Sequence, residues 1–156
     1  MVIRDLGELS GDVLLFGGPY SNLQASQALS ERCAEIPRRN RICTGDVIAY
    51  CADPVATAER VFAETGCVVA GNCERQLAIK ASECGCGFED GTACDLLSRG
   101  WYPFANAQVS DTLRGQMRGL PQLRALYPRW TARRCHSWRC YRYRSLHLVH
   151  KRGRCL

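Results

Sequence analysis

Three short segments in the first half of the chain have the length and composition of buried β-strands. The first, residues 12–16, is Asp12 followed by four apolar residues, and it ends at Gly17 and Gly18. The other two, residues 41–44 and 67–70, also end at a glycine. Short segments that end at turn residues are typical of strands rather than helices.

The segments between these strands repeat apolar residues at helical spacing. Over residues 21–36 a capping-box pattern precedes apolar positions that recur every three or four residues, up to Pro37. Asp53 and Pro54 are a typical N-cap and first residue for a second helix, which ends at Gly66. This alternation of strand and helix predicts βαβ units and a parallel sheet, so the expected fold class is α/β.

The pattern becomes helical or irregular after the third strand. A glycine-rich loop is predicted at residues 85–91. Helices are predicted near residues 92–100 and from a Ser110 cap to Met117, ahead of Gly119.

Two polar residues directly follow the glycines that end the second and third strands. Asp46 comes after Gly45, and Asn72 comes after Gly71. Because the carboxyl ends of parallel strands lie at one edge of a sheet, we expect the two side chains to approach each other there. Asp and Asn also cap helices and close loops, so a purely structural role is the alternative to a binding role.

These strand-end motifs resemble those of the calcineurin-like metallophosphoesterases, and most of all the small bacterial phosphodiesterase-like branch. The resemblance is carried by Gly-Asp-Val-Ile-Ala-Tyr at 45–50, Asp-Pro at 53–54 and Gly-Asn-Cys-Glu at 71–74. It covers about residues 10–126. It implies that residues 1–126 are the N-terminal part of a two-sheet α/β sandwich flanked by helices.

The resemblance also implies a chemistry. The family holds two divalent ions, Mn, Fe or Zn, which clamp a phosphate and activate a bridging water. Asp46 is at the position of the metal-bridging aspartate, and Asn72 matches the metal-binding asparagine. Cys73 is at the position of the catalytic histidine. The substrate implied is a small phosphoester.

The first motif of the family is missing from this chain. Its D-x-H pattern aligns with Gly18 and Tyr20, so both ligands of the first metal are absent. Residues 1–126 contain no histidine. We therefore expect little or no phosphoesterase activity.

The eleven cysteines suggest a rival function as a metal- or redox-binding module. Its sulfur ligands to zinc or an iron–sulfur cluster would be Cys73, Cys84, Cys86 and Cys94, although their spacing matches no standard motif. Reduced thiols are the expected state of a chain without a secretory leader. The simpler interpretation of the earlier cysteines is that they are small buried apolar residues, namely Cys33, Cys43, Cys51 and Cys67.

The formal net charge of +6 belongs entirely to the last thirty residues. Residues 127–156 contain nine Lys and Arg, no Asp or Glu, and all three histidines, whereas residues 1–126 are slightly acidic. Arginines alternating with aromatic rings suggest nucleic-acid binding as a third function, which we consider a minor possibility. It predicts an affinity that falls steeply with salt and is lost on truncation at Tyr127.

An alternative origin for this basic tail is a frameshift near residues 124–134. A codon choice for residues 135–148 that the sequence permits, shifted by one base, encodes an apolar strand followed by His-Gly, the motif that the family carries next. Sequencing the coding DNA downstream of the codon for Leu126 tests this hypothesis.

The remaining expectations concern location. The longest apolar run near the start, residues 13–16, is far too short to span a bilayer, and residues 1–12 lack the basic and apolar regions of a leader. We therefore expect a cytoplasmic protein with no membrane partner. The hydrophobic content of 46% excludes a wholly disordered chain.

Overall fold

A computed structural model describes residue 6 and residues 8–121, 132–134 and 141–147. Three strands from the first half of the chain form a parallel sheet: β1 (Glu8–Phe16), β2 (Arg41–Cys43) and β3 (Cys67–Val68). Leu15 of β1 pairs with Ile42 of β2, which in turn pairs with Cys67 of β3. The predicted α/β fold with a parallel sheet is confirmed.

The sheet continues on the other side of β1 with two strands from the basic tail. These are β4 (Ala132–Arg134) and β5 (Tyr141–His147), and the strand order is β3-β2-β1-β5-β4. β5 runs antiparallel to β1. This pairing explains why β1 starts at Glu8 and not at residue 12, because its first half has β5 as a partner. Cys135, His136 and Cys140 lie outside the described residues.

Five helices connect and follow the parallel strands. The sequence patterns predicted the first two, the last two and, less definitely, the third. Their bounds are α1 (Leu23–Arg32), α2 (Pro54–Glu64), α3 (Asn72–Ala78), α4 (Ala93–Gln108) and α5 (Asp111–Arg118).

Two of the predicted helix ends were wrong. α1 stops at Arg32, and Ile36 is buried by a turn in which its N–H donates to Cys33 O, 3.0 Å away. α4 runs past residue 100 to Gln108, although it contains Pro103. Trp101, Tyr102 and Ala105 are buried, and this packing outweighs the cost of the proline.

A buried arginine ties together the helices that follow the sheet. The guanidinium of Arg114 on α5 donates to Leu77 O on α3. It also donates to Asn106 Oδ1 at 2.9 Å and Asn106 O at 2.6 Å on α4. The planar guanidinium of Arg114 thus joins α5 to α3 and α4. α3 carries two of the candidate site residues, Asn72 and Cys73.

The interpretation of the earlier cysteines as buried residues was partly wrong. Cys43 and Cys67 are buried, Cys33 is half-buried and Cys51 is exposed. Among the described residues, no helix combines the length and apolar character that a bilayer crossing requires.

Candidate functional site

The loops that follow β1 and β2 are joined backbone to backbone. Gly18 N donates to Gly45 O at 3.1 Å, and Tyr20 N donates to Asp46 O at 3.2 Å. Ser21 continues the pairing with a bond to Val47 O of 2.8 Å. The backbone bonds place Tyr20 beside the Asp46 loop.

A fully buried carboxylate joins the second strand-end loop to the third. Glu74 Oε2 accepts from Asp46 N and from Gly71 N, both at 2.9 Å. Its Oε1 accepts from Val47 N at 2.8 Å and Ile48 N at 3.2 Å. Burial raises the pKa of Glu74, and the backbone N–H groups oppose that rise because they bind the ionised form. Sequence reasoning assigned no role to Glu74, and the only available signal was its place in the Gly-Asn-Cys-Glu motif.

The loops that follow β2 and β3 contact each other at Gly45 and Gly71. Gly45 has φ +101°, and a Cβ there would lie 2.5 Å from Gly71 N and 2.7 Å from Val69 O. A Cβ on Gly71 would lie 2.7 Å from Asp46 N and would overlap the Asp46 carboxylate. Glycine is required at both positions because only backbone without side chains can approach this closely.

Asp46 lies at the point of contact and carries an incompletely satisfied carboxylate. The backbone N–H and the thiol of Cys73 are near enough to lower its pKa. Its Oδ1 is buried and has no hydrogen-bond partner in the described part of the chain. Burial raises the pKa of Asp46, while these two groups of Cys73 and the charge of Arg75 act in the opposite direction.

The Asn72 amide contacts three groups of the cysteine-rich segment. Its Nδ2 lies 3.1 Å from Cys84 O, 3.4 Å from Cys86 Sγ and 3.6 Å from Cys73 Sγ. Because a carbonyl only accepts, the contact with Cys84 O fixes the orientation of the amide. The acceptor Oδ1 is then the atom that Asn72 can offer to a ligand.

Cys84 and Cys86 form a disulfide, which differs from the expected reduced state. Their sulfurs are therefore not available as thiolate ligands here. Among the residues that the structure describes, no three His, Cys, Asp or Glu side chains are grouped to hold a metal. The side chain of Cys94, the fourth member of the predicted cluster, lies outside the described part.

Cys73 cannot supply the chemistry of an imidazole at its position. Its thiol is buried, and burial together with the charges of Asp46 and Glu74 raises its pKa far above the usual range. A thiol held neutral in this way does not provide the proton transfer that an imidazole provides near neutral pH.

An aromatic ring fills the space beside Gly18. Gly18 has φ +64°, and a Cβ there would overlap the ring of Tyr20, with Cε2 at 2.5 Å. The ring therefore lies in the space that a side chain at residue 18 would need.

Residues from all three strand ends line one pocket of about 140 Å³. Asp46 is the only one of them with a side chain charged at neutral pH. The lining residues are Tyr20, Asp46, Tyr50, Asn72, Cys73, Cys86 and Phe88.

The residues present do not fit a two-metal centre. The pocket offers one carboxylate, Asp46, and one amide oxygen, that of Asn72. A dinuclear site needs several hard oxygen or imidazole ligands around each ion. The ring of Tyr20 and the neutral thiol of Cys73 replace such ligands.

The fold is similar to that of three solved structures. The chain is similar to a metallophosphoesterase from Sphaerobacter thermophilus, with a TM-score of 0.54, 17% identity, and coverage of 72% of this chain and 42% of that one. It is also similar to a protein of Pyrococcus horikoshii OT3, with a TM-score of 0.52, 14% identity, and coverage of 70% and 48%. A third match is a candidate diadenosine tetraphosphatase, with a TM-score of 0.51, 14% identity, and coverage of 74% and 45%.

The likeness is one of fold and is partial. No protein-family model and no curated protein matches the sequence. The chain spans less than half of the length of each of these three proteins. The βαβαβ unit with its strand-end loops is thus part of a calcineurin-like phosphoesterase fold.

Proposed function

We propose that this chain is a metallophosphoesterase-fold protein whose strand-end site does not carry out two-metal hydrolysis. The observation that carries the proposal is the ring of Tyr20 packed over Gly18, at the position where the resemblance predicts the first-metal ligands. Asp46 and Asn72 keep their positions at the strand ends but lack the partners that hold a second ion.

The backbone donors of the site also have internal partners. Glu74 accepts from the N–H groups of Asp46, Val47, Ile48 and Gly71. A phosphoester anion in the pocket would find few donors and would face the carboxylate of Asp46, so the pocket is poorly suited to binding it without metal ions.

A hydrolysis assay tests this proposal. Purified chain is incubated with bis(p-nitrophenyl) phosphate and Mn²⁺, Fe²⁺ or Zn²⁺, beside the Asp46→Ala variant and an Asp90→Ala control at an exposed carboxylate. We expect the same background rate for all three proteins. A metal-dependent rate at least tenfold above background, lost in Asp46→Ala and kept in Asp90→Ala, would contradict the proposal.

A thiol-based function is the second candidate. It is favoured by the contacts of a single amide, Asn72, with the sulfurs of Cys73 and Cys86, which bring the buried thiol and the disulfide into one polar cluster. In this function Cys73, Cys84, Cys86 and Cys94 act in redox chemistry or, after reduction, hold a soft metal such as zinc.

Thiol titration with elemental analysis tests the second candidate. Reduction is expected to expose two more thiols in the wild type than in a Cys84→Ser/Cys86→Ser variant, and the reduced wild type should retain zinc that this variant loses. Equal thiol gain and equal zinc content in the two proteins would exclude this function.

A further inference from the structure

The pocket at the strand ends is walled by aromatic rings. The ring centroids of Tyr20 and Tyr50 are 5.1 Å apart and the ring planes are tilted by 59°. The two side chains are 38% and 48% exposed, so part of each ring is open to a ligand. The Tyr50 ring also packs edge-on against buried Trp101, with centroids 5.4 Å apart, which fixes it from the core side.

Three of the lining residues are held in a strained backbone conformation. Tyr20, Asp46 and Tyr50 have φ values of +53°, +55° and +50°. In the described part of the chain only five non-glycine residues have positive φ, and these three share one pocket. Left-handed backbone is costly for tyrosine and persists where surrounding contacts impose it, often at ligand sites.

The polar groups that reach the pocket favour a cation. Asp46 supplies the only carboxylate among the lining residues, which include no Lys, Arg or His. The nearest positive charge that acts on it is Arg75, whose Nε donates to Gly71 O at 3.2 Å and which does not line the pocket. Among the described residues, the pocket lining thus contains one carboxylate and the amide of Asn72 but no Lys or Arg.

We propose that this pocket binds a small organic cation that carries a methylated ammonium group. Such a group is large and weakly hydrated, and it is attracted to the faces of aromatic rings within about 6 Å of their centroids. In the pocket it would lie against the exposed parts of the Tyr20 and Tyr50 rings, which pack on each other, with Phe88 beside them and the Asp46 carboxylate as counter-ion. A volume of about 140 Å³ suits a small headgroup rather than a drug-sized ligand.

The proposal is independent of the loss of hydrolysis. It rests on the rings and charge of the pocket, whereas the proposed function rests on the absence of first-metal ligands. A chain that hydrolysed phosphoesters could still bind the cation, and a chain without hydrolysis could fail to bind it.

Titration of the full chain with tetramethylammonium chloride tests the proposal. Calorimetry at constant ionic strength, with sodium chloride as the balancing salt, is expected to show saturable binding of one cation per chain. Asp46→Asn and Tyr50→Asn should each weaken binding about tenfold, because the first removes the negative charge and the second removes an aromatic ring. Asparagine tolerates the positive φ at residue 50, so the ring is removed with little added strain.

Two matched variants serve as controls. Phe104 is as exposed as Tyr50, at 48%, and lines a neighbouring apolar groove that includes Tyr50 but not Tyr20 or Asp46, so Phe104→Leu should bind as the wild type does. Asp90→Asn removes an exposed carboxylate outside the pocket and should likewise leave binding unchanged. Circular dichroism of every variant establishes that it is folded.

Three results would overturn the proposal. The first is no saturable heat with tetramethylammonium. The second is binding that the folded Tyr50→Asn and Asp46→Asn variants retain in full. The third is equal binding of the neutral analogue neopentyl alcohol, which would show that the pocket selects shape and not charge.

Discussion

Replacing Glu74 with glutamine is expected to lower the free energy of unfolding by about 3 kcal/mol. The carboxylate is fully buried and its two oxygens accept four backbone N–H bonds. Glutamine keeps one acceptor oxygen but turns an NH₂ group toward two N–H donors, so two buried donors lose their partner. Urea unfolding followed by circular dichroism measures the change.

The matched control is Glu59→Gln, at an exposed position of α2. It removes the same charge without removing a buried acceptor, so its unfolding midpoint should equal that of the wild type. If Glu74→Gln unfolds at the same urea concentration as Glu59→Gln, then Glu74 does not hold the strand-end loops together.

Replacing Gly45 with alanine is expected to destabilise the chain by about 3 kcal/mol or more. Residue 45 has φ +101°, which an L-residue adopts only under strain. The added Cβ would also lie 2.5 Å from Gly71 N and 2.7 Å from Val69 O, and backbone atoms cannot rotate away as side chains do. The loop carrying Asp46 would therefore be pushed away from α3.

The Gly91→Ala variant separates backbone strain from the close approach of the two loops. Gly91 has φ +79° with no atom within 4 Å of its would-be Cβ, so its replacement adds backbone strain alone, about 1 kcal/mol. Differential scanning calorimetry of both variants should show a clearly lower melting temperature for Gly45→Ala. Equal melting temperatures would mean that close approach of the two loops is not what requires glycine at residue 45.

The sequence patterns predicted the sheet and most of the helices because these elements depend on local periodicity. The apolar run at residues 13–16 and the Asp53-Pro54 helix start are local signals, and they match the end of β1 and the start of α2. The strand order then allowed the prediction that Asp46 and Asn72 approach each other, and the structure places both in one pocket.

The features that the sequence did not predict depend on tertiary packing. α4 continues through Pro103 because Trp101, Tyr102 and Ala105 are buried against other elements. The partners of Glu74 lie more than twenty residues away in sequence, apart from Gly71. A single sequence without aligned homologues carries no signal for such contacts.

The altered first motif shows where sequence and structure complement each other. The sequence indicated that ligands are missing at Gly18 and Tyr20. The structure adds that the Tyr20 ring fills the space beside Gly18, so Gly18→Asp alone would meet both a positive φ and an aromatic ring. The Tyr20 ring thus shapes the pocket at the position where the resemblance predicts metal ligands.

The number of Mn²⁺ ions that one chain binds tests the central claim most directly. Mn²⁺ is a hard ion that prefers oxygen and imidazole to thiol ligands, so the cysteines contribute little to the count. Equilibrium dialysis of the wild type and the Asp46→Asn variant, with spin-resonance detection of free Mn²⁺, gives the stoichiometry. We predict no more than one ion per chain and no spin-coupled pair. Two ions per chain with a coupled signal, lost in a folded Asp46→Asn variant, would contradict the account.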